Sequence, residues 1–175
     1  MARIQGEVQI RCPVDDVFDF AADQRNEPSY NPNMLVSEKL TAGPIGAGTR
    51  FRATVRFGRR PVGMDIAYTA FDRPHLLAST THMAAASFSG TLTFTPTPAG
   101  TRLRWSWEAR PNAALRLLTP VFAPIGARHE RRMWTLLRDH LEAAAGVTCR
   151  LSRTNRYWRM ARRKWSGSRR FCSSR

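Results

Sequence analysis

The feature that most limits what this chain can fold into is a change of period. From Ile4 to Trp107, run after run carries an apolar residue at every second position; from Ala113 onward the spacing lengthens to every third or fourth. Alternation buries one face of a strand and leaves the other to water, whereas the longer period makes one stripe of a helix apolar. The first part therefore predicts an antiparallel sheet with one wet face, and the second predicts the helix that covers its other face.

IQGEVQI (4–10) sets Ile4, Gly6, Val8 and Ile10 against Gln5, Glu7 and Gln9, the pattern of a half-buried strand. Pro13 suits the first turn of a helix, Asp15 and Asp16 favour its positive end, and Val14, Val17, Phe18 and Ala21 share a face. That short helix is expected to end by about Asp23. DQRNEPSYNP (23–32) then gathers two prolines and two asparagines within seven residues, which excludes a helix interior and a central strand and predicts a rigid irregular loop.

Extended structure resumes in MLVSEKL (34–40) and FRATVRF (51–57). Four more runs follow: VGMDIAYTAF (62–71), HLLASTTHM (75–83), ASFSGTLTFT (86–95) and TRLRWSWEA (101–109), with turn signals at DRP (72–74) and PTPAG (96–100). Met64, Ile66 and Tyr68 share a face, as do Phe88, Gly90, Leu92 and Phe94, and Leu103, Trp105 and Trp107. Arg102, Arg104, Ser87, Thr91 and Asp65 occupy the opposite, solvated face. GPIGAGT (43–49) has the outline of a phosphate loop, but its lysine is missing and a strand pattern comes next where a helix would have to begin. A glycine-rich hairpin connection is the better reading.

Beyond Ala113, Leu115, Leu118, Phe122, Ile125, Met133, Leu137 and Leu141 fall near one stripe, with Arg128, Glu130, Arg131, Arg138 and Asp139 assigned to the other side. Pro120 and Pro124 predict a kink or break, and a firm helix is expected from about Gly126 to Ala145.

Charge separates the domain from the segment after it. Of 28 basic residues, ten lie in residues 147–175 with no acid among them, which leaves 18 against 13 acids in residues 1–146. The first segment reads as the domain and the second as a basic, disordered tail, either passive, acquired late or through a shifted reading frame, or able to hold a polyanion. No run of 18 uncharged apolar residues occurs and the start lacks an unbroken apolar block, so a soluble, cytoplasmic chain is expected. Cys12, Cys149 and Cys172 are too scattered for a disulfide framework or a zinc site, so no metal or cofactor is expected.

The element order, with CPVDDVFDFAADQRNEPSYNP, GPIGAGTRFRA, FDRPHLL and GTRLRW, resembles the SRPBCC or START-like superfamily, in particular its polyketide cyclase/dehydrase branch, over about residues 3–145. The resemblance implies an α+β helix-grip fold: a curved antiparallel sheet wrapped around a long C-terminal helix, with a short N-terminal helix after the first strand and an apolar cavity between sheet and helix. Similar proteins carry Trp where this chain has Tyr30, in the loop that closes one end of the sheet. Tyr30 is thus either a cap over the cavity or a packing plug.

The expected lining is Tyr30, Phe51, Val55, Met64, Ile66, Tyr68, Phe88, Leu92, Phe94, Trp105 and Trp107, suited to an apolar or aromatic molecule such as a lipid, a polyketide or an isoprenoid. The same residues would also make an ordinary filled core. Catalysis would need an acid or base inside, and His82 and Tyr68 are the candidates; His75, His129 and His140 are placed outside the site, and no paired carboxylates are evident. The functional alternatives are a hydrophobic-ligand carrier, a cyclase or dehydratase, and a polyanion or anionic-membrane binder acting through residues 147–175 only, as monomer or homodimer.

Overall fold

In a computed structural model the backbone is described over residues 2–112 and 119–151, and side chains over 3–112 and 126–145. The elements are β1 (Ala2–Ile10), α1 (Val14–Ala22), a 3-10 helix (Gln24–Ser29), β2 (Met34–Lys39), β3 (Arg50–Phe57), β4 (Arg60–Asp72), β5 (Leu76–Met83), β6 (Ala86–Thr97), β7 (Gly100–Pro111) and α2 (Thr119–Leu151). All seven strands form one antiparallel sheet in the order β1-β7-β6-β5-β4-β3-β2. Strands β2 to β7 follow one another as a meander, and β1 closes onto β7.

The register explains why alternation was so readable. Trp107 lies opposite Gly90 and Ile4, Trp105 opposite Leu92 and Gly6, and Leu103 opposite Phe94 and Val8, so the inward positions form continuous rows across the sheet. Glycine stands where a neighbouring indole needs the space. A Cβ on Gly6 would meet the six-membered ring of Trp105, and one on Gly90 would meet Trp107 and the Ser106 carbonyl. On the opposite face Arg104 pairs with Glu7 at 2.7 Å and Arg52 with Asp65 at 3.0 Å. These exposed pairs contribute little to stability, but they keep that face wet.

Helix α1 seats Val17 and Phe18, both fully buried, against one end of the inner face. The Phe18 ring meets Phe71 and Phe94 edge-on at 5.1 and 5.0 Å, contacts worth about 0.5–1.5 kcal/mol each beyond the area they bury. Arg73 holds the outer side of the helix through Asp19, at 2.6 and 2.7 Å, and Asp15, at 3.1 Å. GPIGAGT is the β2–β3 connection; Gly43 and Gly48 take φ of 78° and 83°, which a side chain would resist. No phosphate loop is built there.

Three expectations need correction. The stretch after α1 is regular for six residues: Asp23 caps a 3-10 helix by accepting from the Arg25 amide at 3.1 Å, and Pro28 lies within it because so short a helix can omit one amide donor. Pro120 and Pro124 do not delay α2, which begins at Thr119 and takes both into its first two turns. Its end at Leu151 lies beyond the expected Ala145. The chain divides into two compact units, Met1–Glu142 and Ala143–Arg175; in the second, the end of α2 is described through Leu151. Leu115 and Leu118, and the basic segment from residue 152, lie outside the described residues, as do the side chains of Phe122 and Ile125. Among the described residues no helix is long and apolar enough to cross a membrane.

The tight fit at Gly90 gives a direct test. Gly90→Ala is expected to cost about 2–3 kcal/mol by overpacking, read as a lower midpoint in urea unfolding. The exposed neighbour change Thr93→Ala should leave the midpoint within about 0.5 kcal/mol.

Candidate functional site

The site is assembled where α2 crosses the inner face. Gly126 lies against Ile4, Glu130 against Trp107, Trp134 against Trp105, and Glu142 against Arg11. Gly126 and Glu130 both meet the Ile4–Trp107 row, and Trp134 meets the next, Gly6–Trp105, so one helical ridge runs along β1 and β7. The Trp105 and Trp134 rings are nearly parallel, 26° apart, with centroids 5.8 Å apart.

Glu130 is the unexpected member of that ridge. One of its carboxylate oxygens accepts from the indole N–H of Trp107 at 3.1 Å and from that of Trp134 at 3.0 Å. Burial raises its pKa, and the two indole donors only partly oppose the shift. The helix period already contained this placement. Seven residues turn the helix by about −20° net, so Glu130 lies within the stripe of Trp134, Leu137 and Leu141. Reading it as outward followed its charge instead of its angle.

A second carboxylate comes from the 3-10 helix. Asn31 Nδ2 donates to Glu27 at 2.7 Å, and Asn31 Oδ1 accepts from the Asn33 amide at 3.1 Å. Burial carries the Glu27 pKa from 4.5 to about 7; the bond from Asn31 lowers it and the negative field of Glu130 adds to the rise. No basic side chain forms an ion pair with Glu27 or Glu130 among the described residues. The Tyr30 ring lies near Phe20 and His140, with centroids 6.1 and 6.3 Å away, and its pKa is raised well above the ordinary value by burial and by the fields of Glu27, Tyr68 and Glu130. Two carboxylates and a phenol thus lie among aromatic side chains, with no compensating cation among the described residues.

The proposed lining separates into two groups. Phe51, Ile66, Tyr68, Leu92, Phe94 and Trp105 are buried in the filled end of the interior. Tyr30, Val55, Met64, Phe88 and Trp107 are only half-buried, together with inward-facing Val62, Met83 and Ala109 nearer the β3–β4 hairpin. Tyr68 is a structural anchor: its hydroxyl donates to the Ala22 carbonyl at 2.6 Å and accepts from Gln24 at 3.3 Å, joining sheet to α1. His82 is exposed beside Asp65 and Ser87 on the outer face, so it does not join the site. His140, assigned to the outside from its arginine neighbours, lies over Phe20 with centroids 5.4 Å apart. Trp105 Nε1 is buried with no hydrogen-bond partner, as is Ser37 Oγ. Among the described residues no cluster of His, Cys, Asp or Glu could hold a metal ion.

Residues 1–142 match the family described as polyketide cyclase/dehydrase and lipid transport. The chain belongs to that family. Solved structures with the same architecture include a START superfamily protein from Mycobacterium smegmatis, with a TM-score of 0.71 at 10% identity over 82% of this chain and 99% of that one. The ZhuI aromatase/cyclase from Streptomyces sp. R1128 gives 0.66 at 17% identity over 80% and 93%. TTHA0849 from Thermus thermophilus gives 0.70 at 18% over 81% and 98%. At these identities the likeness establishes the helix-grip fold. No curated protein matches the sequence.

The shifted carboxyl of Glu27 predicts an inverted pH response. Between 4.5 and about 7 the folded chain keeps a proton that the unfolded chain has released, so stability falls as pH rises through that window and levels off above it. The loss attributable to Glu27 is at most about 3 kcal/mol. Glu27→Gln is expected to unfold with wild type near pH 4.5 and to be more stable near pH 8, by a few degrees in thermal melts. A variant less stable than wild type near pH 8 would contradict this placement.

Proposed function

We propose that the protein binds an uncharged, largely apolar or aromatic small molecule that carries a hydroxyl or carbonyl group at one end. The apolar part would lie along Val55, Met64, Phe88 and Trp107, with the polar end toward Glu27, Tyr30 and Glu130. The observation that carries this reading is a pair of carboxyls that pair with no cation among the described residues, one of them bonded to the half-buried Trp107 of the inner face. Near pH 7 Glu27 is about half protonated, so its carboxyl can donate to a carbonyl or accept from a hydroxyl. An anionic head would meet Glu130, and a cationic head, although it would find the two carboxylates, would have to give up its hydration to reach them. The family supports an apolar ligand in general terms, and lipid, polyketide-like and isoprenoid molecules all fit the chemistry.

A second reading rests on the same acid. A carboxylate whose pKa is near 7 is suited to take a proton from a carbon between two carbonyl groups, the step that starts an aldol-type ring closure, and to return it when water leaves. In this reading Glu27 is the base and Tyr30 a donor to the developing enolate. His82 and Tyr68 take no part, since one is on the wrong face and the other already holds a backbone carbonyl. Turnover of a poly-β-keto thioester mimic by wild type that is lost in Glu27→Gln and partly kept in Glu27→Asp would support it. Equal turnover by wild type and Glu27→Gln would end it.

The binding reading is tested by filling the interior. Ala109 faces inward beside Phe88 and is half-buried. Ala109→Phe is expected to keep the fold and to weaken binding of the uncharged fluorescent probe N-phenyl-1-naphthylamine by about tenfold or more, and native mass spectrometry should show loss of co-purified apolar molecules. If that end of the interior is solid, the extra ring instead costs about 1–3 kcal/mol by overpacking, and wild type itself fails to bind the probe.

A further inference from the structure

The β3–β4 hairpin extends past the strands on either side of it. Pairing of β3 with β2 stops at Val55 opposite Met34, and pairing of β4 with β5 stops at Met64 opposite Met83, while β3 and β4 stay paired out to Phe57 opposite Arg60. The tip, RFGRR (56–60), turns through Gly58 at φ 63°. Phe57 is 69% exposed, the most exposed of the large apolar residues among those described, and Arg56, Arg59 and Arg60 are exposed around it. None of the three arginines enters an ion pair with any described residue. Leu35 and Val36, 41% and 44% exposed, sit at the bulge of edge strand β2 where it meets Thr54 and Val55.

An exposed aromatic ring flanked by three arginines that pair with no described residue has two simultaneous needs: an apolar phase for the ring and anions for the charges. Duplex nucleic acid, with its bases stacked inside, meets the second, and a protein groove the first. The interface of an anionic bilayer meets both at the depth of one side chain, with the guanidinium groups at phosphate level and the ring below them. We propose that the β3–β4 hairpin is a docking finger for anionic lipid surfaces, with Phe57 as the inserted residue and Arg56, Arg59 and Arg60 as its charge collar. This surface is separate from residues 147–175 and does not depend on what the interior holds. It adjoins the candidate site directly: the Arg56 amide donates to the Asn33 carbonyl at 2.7 Å, the Asn33 amide to Asn31, and the Asn31 side chain to Glu27.

The test is flotation of the full chain with vesicles of mixed phosphatidylcholine and phosphatidylglycerol, set beside vesicles of phosphatidylcholine alone. Wild type is expected to float with the mixed vesicles only. Phe57→Ser should lower its partition about tenfold, and the pair Arg59→Ala and Arg60→Ala about thirtyfold, each variant melting like wild type because the tip is exposed. Two results overturn the proposal. If Phe57→Ser floats as well as wild type, charge alone holds the chain, and the basic tail suffices for that. If wild type binds a single-stranded RNA through the same arginines while failing to float, the finger is a nucleic-acid contact.

Discussion

The structure turns on one carboxylate oxygen that receives two indole N–H groups. Glu130 ties Trp107 of the sheet to Trp134 of the helix, and Trp134 in turn lies against Trp105. Hydrogen bonds to an ionised acceptor are stronger than neutral ones, yet the raised pKa shows that burial still outweighs them at this position. An apolar residue of the same volume would pack there at lower cost in desolvation. What it could not do is satisfy both indole donors or fix the rotation of α2 over β7. The carboxylate therefore sets helix register and also leaves negative potential inside the grip, which is felt at Glu27 and Tyr30.

Much of the architecture could be read from period alone, because β1, β3, β6 and β7 alternate and one inward row continues into the next, whereas β5 opens on Leu76, Leu77 and Ala78 and β4 shifts register between Tyr68 and Ala70. Strand β2 departs for a further physical reason. It is an edge strand with a bulge between Met34 and Val36, which leaves Leu35 and Val36 exposed in succession. The site was less legible. Val55, Met64, Phe88 and Trp107 could be assigned to the inner face because they alternate with polar neighbours, and Tyr30 entered only through the resemblance, but alternation cannot say which inward side chains end up fully buried. That depends on side chains from α1 and α2 meeting particular rows, a long-range matter. Glu130 was recoverable by angle and hidden by its charge. Glu27 had no periodic signal, since a 3-10 turn of six residues around Pro28 is too short to produce one.

The inner face is built unequally along its length. At the α1 end Phe18, Phe51, Phe94, Leu103 and Ile10 are fully buried, and the Tyr68 hydroxyl locks sheet to helix. Toward the β3–β4 hairpin the inward side chains stay half-buried. A core that were solid throughout would gain more from close packing than one that leaves apolar side chains partly exposed. Burial is thus concentrated at one end, and the half-buried other end is where the proposed ligand would lie. The half-buried positions include long or flexible side chains, Met64 and Met83 among them, which can adapt to different shapes.

That asymmetry also gives the projecting hairpin a mechanical meaning. The hydrogen bonds from Arg56 through Asn33 and Asn31 to Glu27 run along a loop held by Pro28 and Pro32, whose fixed φ angles limit how it can yield. A displacement of the β3 tip would reach the Asn31 amide through these bonds. Asn31 is the group that lowers the Glu27 pKa, against burial and Glu130. Loosening that one hydrogen bond would shift Glu27 further toward its neutral form and weaken the negative field at the mouth of the interior. If the hairpin docks as proposed, contact there and the polarity of the proposed site would be linked through these few named bonds.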